Sequence, residues 1–195
     1  MPPTEAHQYI RTYCGIRFPV LKPSQSDVVN GDFINVLPRI PRFSGHTRRF
    51  LSVAEHLLLT RKLAIINDAT QDVVDACFLH DFSEVYLCDL PSPYKAVLPK
   101  YKDMEEDVQK VIYARYNCPH KKDEVRSFDV AARYIEAHAL MPCVSEDWGE
   151  NLAFMLPSDF ETASVFPIAR PQSYFRWKLR KLIVELCKRR KVEIY

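Results

Sequence analysis

The sequence predicts an all-α fold with at most one short β-hairpin near its start. Glycine is scarce, with four in the whole chain. Apolar residues recur at three- and four-residue intervals through most of the length, the period of one helix face. Ser52-Val53-Ala54-Glu55 has the spacing of a capping box, the reciprocal hydrogen-bonding device that opens a helix.

Strands are confined to the beginning. Tyr9 to Tyr13 and Arg17 to Val20 flank Cys14-Gly15-Ile16 and fit a hairpin. A short helix follows near Asp27 to Leu37, and Pro38 and Pro41 then predict an extended segment, since proline lacks an amide donor and restricts the residue before it. The Ser52 box opens a helix running to about Ile66. Asp68 to Gln71 repeats the spacing and introduces a second helix over Val73 to Leu87, stopped by Pro91 and Pro93. Asp103 to Tyr116 is a third amphipathic segment, with Asp103, Glu105 and Glu106 placed in its first turn, where negative charge suits the helix dipole. Asn117 and Pro119 end it. Lys122 to Met141 is a fourth, with Val125, Phe128, Ala132, Ile135 and Ala139 at helical intervals. The stretch from Pro142 to Pro171 supports no assignment, and a basic helix from about Gln172 to Arg190 closes the chain.

At 195 residues, 47% apolar and 27% charged, the composition is that of one independently folding domain. No apolar run approaches a membrane span, and the polar start, Met1 to His7, lacks the regions of a signal peptide; the expected location is the cytoplasm. Six cysteines form no CxxC pair and read as scattered reduced thiols, several of them on apolar faces. The net charge of +2 does not imply a polynucleotide partner. The basic run Lys178 to Lys191 alternates with Leu179, Leu182, Ile183 and Leu186, which reads as a solvated face on a core-packed helix.

The sharpest feature is Leu79-His80-Asp81-Phe82-Ser83-Glu84, expected in the middle of an apolar helix. Glu84 follows His80 by four residues and Asp81 by three, so on a continuous helix the three share one face. Burying unpaired charge is costly, and a bound cation is one arrangement that offsets it. His56 lies on the preceding helix beside Leu57, Leu58 and Leu59, where a helix pair brings it opposite His80. Asp129, on the face with Val125, Ala132 and Glu136, supplies a fourth ligand. Two imidazoles and two carboxylates suit one divalent transition metal, Zn, Mn, Co, Fe or Ni, with a second ion left open. Glu84 is placed to orient a water or exchange a proton, with Asp89 sharing the role; the alternatives are an exposed helix residue and a turn residue.

An early His, a His-Asp pair and a later Asp, all on helices, resemble the HD superfamily of phosphohydrolases. The resemblance extends to Arg42-Phe43-Ser44-Gly45-His46-Thr47-Arg48, Ser52-Val53-Ala54-Glu55-His56, Asp89-Leu90-Pro91-Ser92-Pro93 and Lys95, and covers about Tyr9 to Met141. These blocks resemble the nucleotide-cutting branch, which includes phage DatZ-type dATP triphosphohydrolases and bacterial YfbR-type 5'-deoxynucleotidases. Pro38 and Pro41 depart from the continuous helix often found before the Arg-aromatic pair. The resemblance implies that Arg42 and Lys95 take phosphates. Phe43 then lies against sugar or base and disfavours a 2'-hydroxyl, or else packs in the core; His46 touches phosphate or fixes its loop. His7, His120 and His138 are left without a role.

The implied reaction is metal-dependent hydrolysis of a deoxynucleotide, dATP to deoxyadenosine and tripolyphosphate. The competing readings are a deoxynucleoside monophosphatase and a non-catalytic nucleotide-binding HD domain. The implied partner is the small-molecule nucleotide, in a homo-oligomer, a dimer or hexamer by family resemblance, without membrane or polynucleotide.

Overall fold

The computed structural model contains the expected hairpin. Strands β1 (Tyr9–Arg11) and β2 (Arg17–Pro19) pair antiparallel, with Ile10 opposite Phe18. Gly15 supplies the positive φ of +82° that their turn requires. The structure describes residues 9–142 and 170–194. His7, Cys143 and the unassigned stretch that follows Pro142 lie outside the described residues, as does most of the start read as lacking a signal peptide.

Among the described residues, all other regular structure is helical. In chain order it comprises α1 (Asn30–Val36), α2 (Val53–Ile66), α3 (Gln71–Leu79), α4 (Glu84–Leu87), α5 (Ser92–Val97), α6 (Pro99–Arg115), α7 (Lys122–Leu140) and α8 (Gln172–Arg190). Among the described residues, no helix is long and apolar enough to cross a membrane. Helix α2 packs against α3 and α7, α3 also meets α6 and α7, and α8 lies across α1 and α2. One hydrophobic cluster runs through them all. Phe82 sits inside it, 4.4 Å from Phe33, 5.3 Å from Phe78 and 6.2 Å from Tyr116 between ring centroids.

The capping box is present as the spacing predicts. The Glu55 amide donates to Ser52 Oγ at 3.3 Å, and the Ser52 amide donates to Glu55 Oε2 at 3.1 Å. Leu179, Leu182, Ile183 and Leu186 of α8 are buried as expected. The basic face is not wholly solvated, because Arg189 and Arg190 both reach the buried Asp75 and Arg190 also meets Asp72.

Several expectations are corrected. The extended segment at Pro38 and Pro41 is interrupted by two 3₁₀ turns, Leu37–Arg39 and Arg42–Gly45. Proline lacks only an amide that a first helical turn leaves unbonded anyway. Only Ile40 and Pro41 remain extended, and they bridge to the start of α2: the Arg42 amide donates to Leu51 O and the Val53 amide to Ile40 O. Asp68 does not cap; it takes a left-handed φ of +53°, and α3 starts after Thr70. Helix α6 begins at Pro99, so Asp103, Glu105 and Glu106 fall beyond its first turn. The helix expected over Val73 to Leu87 breaks after Leu79 and resumes at Glu84.

That break is held by one side chain. Gln109 of α6 donates from Nε2 to Leu79 O at 2.8 Å and accepts the Ser83 amide on Oε1 at 3.1 Å. It gives the Ser83 amide an acceptor where the helix is interrupted and adds a second donor to Leu79 O, which also accepts from the Phe82 amide at 3.0 Å.

Replacing the α2 cap tests the local argument. Ser52→Ala is expected to lower unfolding free energy by about 1 kcal/mol. Urea denaturation measures this; an unshifted midpoint would show that the cap contributes nothing.

Candidate metal centre

Each side chain of the centre comes from a different local device. His56 lies in the first turn of α2, wholly buried. His80 and Asp81 follow α3 directly, on the turn bracketed by Gln109 and rooted by Phe82. Asp129 comes from the middle of α7. Because α2 packs against both α3 and α7, the three elements deliver their polar groups to one point.

His56 Nε2 lies 3.2 Å from His80 Nε2, 3.1 Å from Asp129 Oδ1 and 3.5 Å from Asp81 Oδ2. His80 Nε2 lies 3.3 Å from Asp81 Oδ2 and 3.8 Å from Asp129 Oδ1. The four expected ligands therefore converge. The donor atoms of His56, His80 and Asp129 fall within 4.8 Å of one another, a group that could hold a metal ion. The centre is open on one side, since the side chain of Asp129 is 31% exposed and that of Asp81 20%, against 0% for His56.

The second nitrogens of both rings are committed. His56 Nδ1 donates to Glu136 Oε1 at 2.9 Å, and His80 Nδ1 donates to Cys77 O at 2.8 Å. With Nδ1 protonated, each neutral ring turns a lone pair at Nε2 toward the other and toward two carboxylates. Only a cation, proton or metal, reconciles such a set. Burial alone would lower the pKa of His80, but Asp81 and Asp129 outweigh it and hold it well above 6.5. Burial and Arg42 oppose protonation of His56, yet Glu136 and Asp129 raise it above 6.5 too. Asp81 and Asp129 are depressed against burial, chiefly by the adjacent imidazoles.

Around this point stand further charges. Arg42 is buried, its Nη1 3.5 Å from both Asp81 Oδ2 and Asp89 Oδ2, its Nε 3.6 Å from Glu136 Oε2. Lys95 Nζ contacts Glu105 Oε1 at 2.6 Å. Glu84 is 2% exposed, and its Oε2 has no hydrogen-bond partner. Burial, then Asp81 and Asp89, push the Glu84 carboxyl well above 4.5, favouring its protonated form. Burial likewise raises Asp89, with Arg42 opposing. Besides the carboxyl of Glu84, five carboxylates, those of Asp81, Asp89, Glu105, Asp129 and Glu136, face two fixed cations, Arg42 and Lys95. That excess of negative charge and the mixed nitrogen and oxygen donors fit a divalent ion.

The expectation that His80, Asp81 and Glu84 share one continuous helix is replaced by a helix, a turn and a new helix. Glu84 is not an exposed helix residue and Asp89 is not a free turn residue. Phe43 is half-buried outside the core, at a left-handed φ of +52°, its ring centroid 5.7 Å from the Arg42 guanidinium carbon. His46 is exposed and lies outside the cluster. His120 and His138 lie against Tyr113 and Tyr134. Sequence reasoning gave no role to Glu136, Glu105 or Gln109. Glu136 carried a signal: it stands seven residues after Asp129, an acid on an apolar helix face.

No family model matches the chain. It is 37% identical over 111 residues to the uncharacterized protein YfdR of Escherichia coli (strain K12), a match covering 57% of this chain. The chain spans 60% of the length of that relative.

The charge pattern fixes a pH signature. The stabilisation contributed by the raised imidazoles is complete below 6.5 in the metal-free protein and is lost as pH rises through their elevated folded-state values. That of Asp81 and Asp129 is complete above 3.8 and is lost as pH falls toward their depressed values. A divalent ion competes with the imidazole protons, so Zn or Mn should raise Tm more at a pH well above 6.5 than below it. His80→Ala should abolish that metal-dependent shift. Calorimetry with metal analysis checks both; full metal content in the variant would remove His80 from the ligand set.

Proposed function

We propose that the chain is a metal-dependent phosphohydrolase of the HD superfamily that hydrolyses deoxynucleotides, dATP being cut to deoxyadenosine and tripolyphosphate. One observation carries the reading: two imidazoles and two carboxylates approach one another at a solvent-open point, flanked by two cations and by a buried glutamate whose Oε2 has no hydrogen-bond partner among the described residues. His56, His80, Asp81 and Asp129 would hold a divalent ion, which would supply a water of lowered pKa and draw charge from a phosphoryl oxygen.

The surrounding side chains supply the rest. Cleavage joins an oxygen from water to the α-phosphorus and breaks its bond to the 5'-oxygen, which must gain a proton to leave. Glu84, favoured in its protonated form by burial and its acidic neighbours, donates that proton. Asp89, 3.5 Å from Arg42, orients the water. Arg42 and Lys95 counter the charge of the phosphates, the principal demand of phosphoryl transfer. Phe43, half-buried beside Arg42, packs against the sugar and leaves a 2'-hydroxyl no partner. By family resemblance the protein is a homo-oligomer.

A specific observation favours a second reading, the deoxynucleoside monophosphatase. Both cations are already engaged, Arg42 by Asp81 and Asp89 and Lys95 by Glu105, which leaves less free positive charge for a triphosphate tail. The two readings break the same bond and differ in product.

Incubation with dATP and with dAMP, with Mn or Co supplied, separates them: tripolyphosphate supports the first reading, phosphate from dAMP alone the second, and no turnover of either removes both. Glu84→Gln is expected to keep metal while lowering kcat by a factor of about 100 or more, the range of a lost acid-base group. An unchanged kcat would deprive Glu84 of its catalytic role.

A further inference from the structure

Among the described residues, His56 is the imidazole of the centre whose Nδ1 is held by another side chain. His80 donates to the Cys77 carbonyl, a backbone group of its own helical turn. His56 Nδ1 donates to Glu136 Oε1 at 2.9 Å, across 80 residues of sequence. Glu136 is 0% exposed and lies on the face of α7 that carries Asp129. Its other oxygen, Oε2, has no hydrogen-bond partner and faces Arg42 Nε, likewise unpartnered, at 3.6 Å.

We infer that Glu136 is the positioning residue of the metal centre, holding His56 in the tautomer that turns the Nε2 lone pair toward His80, Asp81 and Asp129. The inference rests on the metal reading above. An imidazole with its proton on Nε2 cannot ligate through that atom, and rotation of the ring would remove it from the point where the other donors meet. A carboxylate on Nδ1 forbids the first and resists the second. Helix α7 thus delivers a ligand and the support of a second ligand from one face. The competing explanation is that Glu136 serves only as counter-ion to the buried Arg42.

Two substitutions separate these roles. Glu136→Gln keeps an oxygen that can accept from Nδ1 and removes the charge facing Arg42. Glu136→Leu removes both. In the Zn-loaded wild type, the His56 Nδ1 proton should give a downfield, slowly exchanging NMR signal. Glu136→Leu should weaken Zn affinity by roughly 10–100-fold, as for lost supports of metal-ligating histidines, and lose that signal to exchange. Glu136→Gln should retain the signal and bind Zn close to wild type.

A folded Glu136→Leu variant with wild-type Zn affinity overturns the inference. So does a Glu136→Gln variant that retains the signal yet loses as much affinity as Glu136→Leu, which assigns the residue to Arg42 alone. Should Glu136→Leu fail to fold, the wild-type signal and the Glu136→Gln comparison decide by the same criteria. Wild-type protein that takes up Zn but lacks the Nδ1 proton overturns the inference while leaving the metal reading intact. Wild-type protein that takes up no divalent metal removes both.

Discussion

Two imidazole nitrogens facing each other at 3.2 Å, with their rings anchored from behind, are the constraint on which the centre depends. Neutral rings so anchored present lone pair to lone pair, and two carboxylates complete a ring of acceptors. In the absence of positive charge this is among the least favourable arrangements a buried site can adopt. The packing of α2 against α3 and α7 brings these side chains to one point. The cost is local, and the rest of the fold is ordinary helix packing around an aromatic core.

The surrounding electrostatics follow from that choice. Arg42 is drawn in among Asp81, Asp89 and Glu136, and its backbone is tied to the start of α2 by the bridge between Pro41 and Ser52. Glu84 lies deep enough that its charge is opposed by burial as well as by its neighbours. A carboxyl kept protonated beside others that are ionised is a familiar arrangement in acid-base sites. Here the division arises from depth: Asp129 reaches solvent and sits against imidazoles, whereas Glu84 meets apolar core and other acids.

Much of this was legible because it depends on local spacing. The Ser52 box, the ends of α8, the hairpin about Gly15 and the convergence of His56, His80, Asp81 and Asp129 all followed from residue type and interval. What escaped depends on tertiary partners. The interruption after Leu79 has no glycine or proline to announce it; the partner that stabilises it is Gln109, about thirty residues onward and indistinguishable in sequence from a surface glutamine. Asp68 had the spacing of a cap, but its left-handed backbone and the start of α3 at Gln71 made Thr70 the boundary. Glu136 was visible as an acid on an apolar face, though its hydrogen bond to His56 crosses 80 residues. The basic run at the end of α8 read as a solvated face until Asp72 and Asp75 were found opposite Arg189 and Arg190.

Helix α6 touches the site at two points through residues four apart, Glu105 on Lys95 and Gln109 on the turn bearing His80 and Asp81. The four-residue interval, about 6 Å of rise, therefore acts as a ruler between Lys95 and the turn bearing His80 and Asp81. Its accuracy lies in phase as well as length: one residue inserted between Glu105 and Gln109 would rotate one grip about 100° away from the other. The buried face of α6, Val108, Ile112 and Tyr113, fixes that phase by seating the helix in the core.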